Sequence, residues 1–494
     1  MRLTAYAVGL LLCPALAAAQ ATESAAPASL SLADAIAIAR EHNPAYRQAL
    51  NARAPAVWGE RNAWATLFLP TFSASGGLGY SGPGQQRFLT ANFSQSVATS
   101  SSNYNLGLDW TLSGQTVTAP GQRAAAANAA EADISGASAA LVNNVTQQYL
   151  TVLQSRDNAD VTVKQLARDE DALKLAQARY AVGSASLIDV RQAQVARGTA
   201  EVAVLRAQTD VSVQKLRLFE QMGVTAPTDV KAVQLTDTFP VIAPAWTLDT
   251  LLNIAAAQNP ALQALRARET SAGWNVRAAL ASFGPSLNVS AGWSGFTQKY
   301  NDLQPIILGQ QAAFGSQYAS CNDNNVIRTN NGLPPNDCSV YVWGSQNTQA
   351  LINQNNQYPY KFTSQPFSAR LTITLPIWLN FSRPYQTSQA RADKDNLSES
   401  VRARALGLQT EVSQAFLNLQ TAYQTIAIQD TNRTAAREQL QLATDRYRVG
   451  SGTYLELTDA QVTALRAETD YINAVYDYHK ALAALEAAVG RPLR

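Results

Sequence analysis

Two histidines and three cysteines in 494 residues leave little material for a metal site. His42 and His479 stand far apart, and no Cys or His pair has zinc-ligand spacing, so no metal and no cofactor is expected. Nor is there a phosphate-binding loop, which leaves the chain without an energy-coupling motif of its own. Charge of one sign is missing as well. With 38 basic against 36 acidic residues the net charge is +2, and no basic block is interleaved with aromatics, which argues against nucleic acid as a partner. Beyond residue 19 no stretch reaches the roughly 20 apolar residues of a membrane helix. If this chain, 46% hydrophobic, enters a membrane, it does so as strands.

Residues 1–19 start with Arg2, run apolar through Val8-Gly9-Leu10-Leu11-Leu12 and close on Ala17-Ala18-Ala19. This is the pattern of a secretory signal peptide. Cys13 follows Leu12, where lipid attachment wants a small residue, so the mature chain is expected to begin near Gln20 without a lipid anchor. The remaining Cys321 and Cys338 either stay free or close a disulfide loop of about 18 residues, worth roughly 3 kcal/mol in an oxidising compartment.

What the chain does have is a plan written twice. Arg179-Tyr180-Ala181-Val182-Gly183-Ser184 returns as Arg446-Tyr447-Arg448-Val449-Gly450-Ser451, a shift of 267 residues. Asn43-Pro44 returns as Asn259-Pro260, a shift of only 216, so about 51 residues are inserted between these points in the second half. Two tandem repeats follow, 20–246 and 247–494. Each opens with short helices that break at Asn-Pro, capped by Ser31 or Thr247 and stopped at Pro70 or Pro285.

After each stop the period changes from helical to two. Phe72, Ala74, Gly76, Leu78 and Tyr80 alternate with small polar residues, as do Tyr104, Leu106, Leu108, Trp110 and Leu112. In the second half Leu287, Val289, Ala291 and Trp293, then Phe367, Ala369, Leu371, Ile373, Leu375 and Ile377, do the same. This predicts hairpins at about 70–114 and 285–378, the latter with a long exterior loop at 298–365. Soluble hairpins with one face on a core would show the same alternation. The aromatics Tyr80, Trp110, Trp293 and Phe367 and the strand lengths favour strands that cross a bilayer.

Proline-free segments of some 60 residues start near 122 and 386 and imply helices of roughly 90 Å. Each turns at Val-Gly-Ser and returns, giving helical hairpins at about 122–222 and 386–489. In the second, Val412, Phe416, Leu419, Tyr423 and Ile426 make a coiled-coil-like seam, with Val145, Tyr149 and Val152 as the first-half counterpart.

Four strands cannot close a barrel, and open edges are not tolerated in hydrocarbon. Two subunits would give eight strands and a filled interior, whereas three give twelve and a bore. The expected fold is therefore a mixed α and β membrane protein: a homotrimer forming a composite 12-stranded β-barrel, four strands per chain, continued by a long α-helical barrel.

The whole mature chain resembles the TolC-like outer-membrane efflux and export ducts. The resemblance is carried by the Asn-Pro breaks, the hairpin after Leu69-Pro70 and the paired Arg-Tyr-x-Val-Gly-Ser tips followed by Asp189 or Glu456. It implies a passive exit duct of a tripartite efflux or type I secretion system in the outer membrane of a Gram-negative bacterium, extending into the periplasm. Its partners would be two further copies of itself, outer-membrane lipid, a periplasmic adaptor (membrane fusion) protein and an inner-membrane transporter.

Glu456 and Asp459 lie three apart, on one helix face just after the second tip, and in a trimer would form two rings of carboxylates that favour cations. The resemblance assigns them the periplasmic constriction; alternatively they are acids stabilised by a helix N-terminus, about 0.3 to 1 kcal/mol each. It also implies that Asp189 and Tyr447, with Tyr180 as Tyr447's repeat mate, belong to a hydrogen-bond network closing the tip. Where the best-known pattern has a basic gate residue this chain has Gly452, leaving that task to Arg446 or Arg448 or the gate less firmly held. Val182, Gly183, Ser184, Val449, Gly450 and Ser451 are adaptor-docking residues or simply tight turns. Paired carboxylates alone do not make a glycosidase, and without a nucleophile motif no enzyme activity is expected. The competing reading is a non-conducting periplasmic helical-hairpin adaptor or scaffold, which leaves the four strands without a purpose.

Overall fold

A computed structural model describes residues 29–86 and 94–493; the expected signal peptide at 1–19, with Cys13, lies outside the described residues. Strand β1 (Ser29–Leu30) leads into helices α1 (Leu32–His42), α2 (Pro44–Asn51) and α3 (Arg53–Phe68). Strands β2 (Thr71–Ser81), β3 (Gly84–Gln86), β4 (Ser94–Ser96) and β5 (Thr99–Leu112) precede the long α4 (Gly114–Ala181) and α5 (Leu187–Met222). Then come β6 (Gln234–Leu235), α6 (Leu248–Gln258), α7 (Pro260–Ala281), β7 (Ser286–Tyr300), α8 (Gln304–Asn330), α9 (Ser345–Asn355), β8 (Thr363–Ser364) and β9 (Ser368–Thr374). Helices α10 (Ser382–Val449) and α11 (Tyr454–Val489) end the chain.

Two compact units result, one built from residues up to Ala54, Ala129–Arg266 and Ser400 onward, the other from Pro55–Asn128 and Ala267–Glu399. They cut across the halves 20–246 and 247–494, because each half gives its strands to one unit and most of its long helices to the other. Helices α4 and α10 have 68 residues each, about 100 Å of helix. Their starts precede those read from proline-free composition. Ser113 and Thr116 cap α4 reciprocally, with backbone N–H to side-chain oxygen distances of 2.7 and 3.3 Å. Pro120 then forfeits a single hydrogen bond rather than ending the helix.

In the first unit, the Asn-Pro breaks and the glycines that end α5 and α11 are one joint made twice. Asn43 Oδ1 accepts from the N–H of Tyr46 at 3.1 Å, capping α2, while its Nδ2 donates to the Gln221 carbonyl at 2.8 Å. Asn259 repeats this on Leu262 and Ala488 at 3.1 and 3.0 Å. Gly223 and Gly490 follow with φ of 76° and 89°. A β-carbon at Gly223 would stand 2.6 Å from the His42 carbonyl oxygen, so both the backbone angle and the close approach require glycine there. Around these joints Val145, Tyr149 and Val152 are buried in one apolar cluster and Val412, Phe416 and Leu419 in another. The second seam fades beyond Leu419: Tyr423 is exposed and Ile426 only partly buried.

The second unit is a sheet. β2 pairs with β5, β5 with β7, and β7 with both β8 and β9, the long pairings being antiparallel. The register puts Phe72, Leu108 and Ala291 on one face with Ala74, Leu106 and Trp293, and the same face carries Val289 opposite Leu371 and Leu287 opposite Ile373. This apolar face is open: Phe72, Leu78 and Ile373 are each about 70% exposed or more. β9 stops at Thr374, short of the expected Ile377, because Pro376 cannot donate to a ladder. The connection at 298–365 is not bare loop: β7 runs on to Tyr300, and α8, opened by Pro305, and α9 occupy most of the rest. Cys321 and Cys338 form a disulfide, with Cα atoms 5.8 Å apart, that ties α8 to the segment after it. No helix among the described residues is long and apolar enough to cross a membrane.

Candidate functional site: the paired helical tips

The tips form where α4 and α10 run out and α5 and α11 begin. Gly183 and Gly450 adopt φ of 79° and 88°, and the following serines fold back, Ser184 and Ser451 N–H donating to the carbonyls of Arg179 and Arg446 at 2.8 and 2.9 Å. The next helices start on caps. Asp189 and Ser186 cap α5 reciprocally, and Thr453 Oγ1 accepts from the N–H of Glu456 at 3.2 Å at the start of α11. Val182 and Val449 stand 78% and 77% exposed at the ends of the turns, two apolar side chains left uncovered by the described residues.

Behind the turns, Tyr447, Tyr454, Leu457, Val190, Ala176 and Ala193 make a small apolar cluster. The rings of Tyr447 and Tyr454 meet edge to face at 5.7 Å. Among the described residues neither hydroxyl finds a hydrogen-bond partner. Burial raises both phenol pKa values, and for Tyr447 the negative charge of Asp189 adds to the effect while Arg179 opposes it.

The contact that joins the two tips comes from Arg179. Its guanidinium lies over the Tyr447 ring at 4.5 Å, donates to the Tyr447 carbonyl at 2.5 Å and donates to the Ser184 carbonyl at 2.9 Å. One planar cation thus clamps its own turn to the neighbouring helix end, which a lysine cannot do with the same geometry. Arg446, its repeat counterpart, stays at home, 3.5 Å from the Ser451 carbonyl and 3.8 Å from the Glu456 carboxylate. Arg448 pairs with Asp445 at 3.1 Å. Gly452 is closely surrounded, with a β-carbon there falling 3.2 Å from the Glu456 carboxylate and 3.1 Å from Arg446 Cβ.

Glu456 and Asp459 both lie exposed on the first turns of α11. Glu456 shares its charge with Arg446, whereas Asp459 makes no ion pair among the described residues. Asp189 is spent on the α5 cap and makes no hydrogen bond to Tyr447; Tyr180 is 47% exposed on the flank. Sequence reasoning gave Arg179 no role although it stands in the repeated hexapeptide, and its difference from Arg446 arises only in three dimensions. Asp169 was missed as well. It is buried, bonded by Gln165 Nε2 at 2.9 Å, and burial pushes its carboxyl pKa up. An apolar groove lined by Leu187, Ile188, Val195, Tyr454 and Leu455 runs beside the tips.

The outer membrane efflux protein family matches residues 35–224 and 343–491. Outer membrane efflux protein BepC of Brucella suis biovar 1 (strain 1330) is 23% identical over 343 residues, 69% of this chain and 61% of the relative, so the chain spans about three fifths of that relative's length. Among solved structures, the outer-membrane channel OprN superposes with a TM-score of 0.69 at 17% identity, covering 93% of this chain and 89% of that one. The outer membrane protein VceC of Vibrio cholerae gives 0.67 at 18% identity, covering 94% and 97%. At these identities the likeness shows the fold: that of an outer-membrane channel of mixed α and β type.

Proposed function

The chain belongs to the outer membrane efflux protein family, and from that premise we propose that it is the passive outer-membrane exit channel of a tripartite efflux or type I secretion system. The observation that carries the reading is the sheet of the second unit. Its outer strands β2 and β9 each pair on one side only, and its apolar face is open at Phe72, Leu78 and Tyr80 on β2 and at Leu371 and Ile373 on β9. Both features are costly in isolation and both are removed when copies join edge to edge within a lipid bilayer. Three copies give a 12-stranded barrel with a bore. The equal lengths of α4 and α10, and of α5 and α11, support two tandem repeats per chain and a near-sixfold helical barrel below the strands. A periplasmic adaptor or scaffold has no use for an apolar sheet.

In this reading residues 1–19 direct export and are removed. Glu456 and Asp459 line the periplasmic constriction, with Asp459 the stronger cation site because Arg446 partly neutralises Glu456. Arg179 and Tyr447 latch the first helical hairpin to the second. Val182, Gly183, Ser184, Val449, Gly450 and Ser451 present themselves end-on to a periplasmic adaptor coupled to an inner-membrane transporter. The test is fractionation followed by detergent extraction: a heat-sensitive trimer from the outer membrane supports the proposal, and a soluble periplasmic monomer overturns it.

A further inference from the structure

The polar face of the sheet carries charge at one level only. Along β2 that face shows Thr71, Ser73, Ser75, Gly77 and Gly79, and on the other strands it is Ser, Thr, Asn, Gly and Gln with Phe296 and Tyr300 near one end. Its two charged residues are Asp109 on β5 and Arg370 on β9. The register sets both in one row, since Asp109 and Arg370 are each the partner of Ser290, from opposite sides of β7. Both side chains are exposed, and neither makes a hydrogen bond or ion pair among the described residues. Two strand spacings put their Cα atoms roughly 10 Å apart.

We propose that Asp109 and Arg370 form a mixed-charge ring in the bore, a binding level for dipolar and zwitterionic solutes distinct from the acidic tip. The inference rests on the trimeric barrel proposed above. Closing three copies repeats Asp109, Ser290 and Arg370 three times around the bore, with acid and base alternating and, because the strands tilt, offset by roughly 6 Å along the axis. Fixed charges of both signs this close together create a local field between them in the wall of the bore. Such a field orients a solute that carries both charges and gives neither simple cations nor simple anions the advantage, unlike the carboxylates at the tip.

The test reads the local potential directly. Asp109→Cys and Arg370→Cys are made singly and reacted in intact outer membranes with cationic and anionic methanethiosulfonate reagents, with Leu371→Cys as the control on the apolar face. With Asp109 removed, Arg370 remains and the anionic reagent should react preferentially; with Arg370 removed, the cationic one should. The ratio of the two rates should differ between the variants by about fourfold or more, and the difference should shrink in high salt. Equal ratios at both positions, with Leu371→Cys protected by lipid, overturn the ring while leaving the channel standing. Labelling of Leu371→Cys as fast as the other two would show that no lipid covers the apolar face, and would overturn the barrel reading together with the ring.

Discussion

Replacing Arg179 by Ala removes two hydrogen bonds to carbonyls and the contact with the Tyr447 ring in one step. The expected cost is about 2 to 3 kcal/mol in holding the tips together, read as a larger single-channel conductance and a tip more readily cut by protease. Tyr447→Phe keeps both the ring and the carbonyl that Arg179 uses and deletes a buried hydroxyl without a partner, so the chain's own fold should be unchanged or slightly stabilised. A conductance increase in Tyr447→Phe equal to that of Arg179→Ala would show that the hydroxyl, through a neighbouring subunit, is the true latch. Asp169 gives a pH-dependent prediction of definite sign. Burial holds its folded-state pKa above the unfolded value, so its contribution is favourable below the unfolded pKa of about 3.9 and is lost as pH rises through the folded value. Asp169→Asn should therefore raise the melting temperature near neutral pH and change it little near pH 3. Thermal scans at the two pH values check this, and a destabilised neutral-pH variant would contradict it.

At the scale of elements, the joints are the most sensitive points. Asn259→Ala strips a cap and a tertiary hydrogen bond from a buried position, a loss of about 1 to 3 kcal/mol, whereas Ser31→Ala, at an exposed cap, should cost nearer 1 kcal/mol. Denaturant titration of the two variants makes the comparison. The same joints show what was legible in sequence and why. Asn-Pro, the paired Val-Gly-Ser turns and the period-two strands are local signals, set by backbone chemistry within a few residues, and the structure has helix ends, turns and strands at those places. Helix starts at Gly114 and Ser382 were hidden because Pro120 and Pro384 read as breaks, while the Ser113–Thr116 cap outweighs one lost hydrogen bond. The helices α8 and α9 were hidden in Asn- and Gln-rich sequence, which has no apolar stripe to mark a helix. The clamp by Arg179 was illegible for another reason: hexapeptides alike in all but Ala181 and Arg448 behave differently once their surroundings differ, and Arg179, unlike Arg446, reaches a carbonyl of the other tip. In the same connection, the Cys321–Cys338 disulfide closes a short loop and is worth roughly 3 kcal/mol. Removing both thiols should make α8 the first protease site.

For the whole molecule, the account turns on whether three chains enclose a conducting path. The open apolar sheet face, the two half-paired edges and the 68-residue helices each make sense in a closed trimeric duct, and in a monomer each is a liability. The narrow end would then set the ion preference through Asp459 and, less strongly, Glu456. Single-channel recording of the purified protein in a planar bilayer tests this most directly, comparing wild type with a Glu456→Gln/Asp459→Asn variant and with Arg179→Ala. The account predicts a small cation-selective conductance that loses its selectivity in the first variant and grows in the second. A correctly folded, membrane-inserted trimer that carries no current even with Arg179→Ala would contradict it.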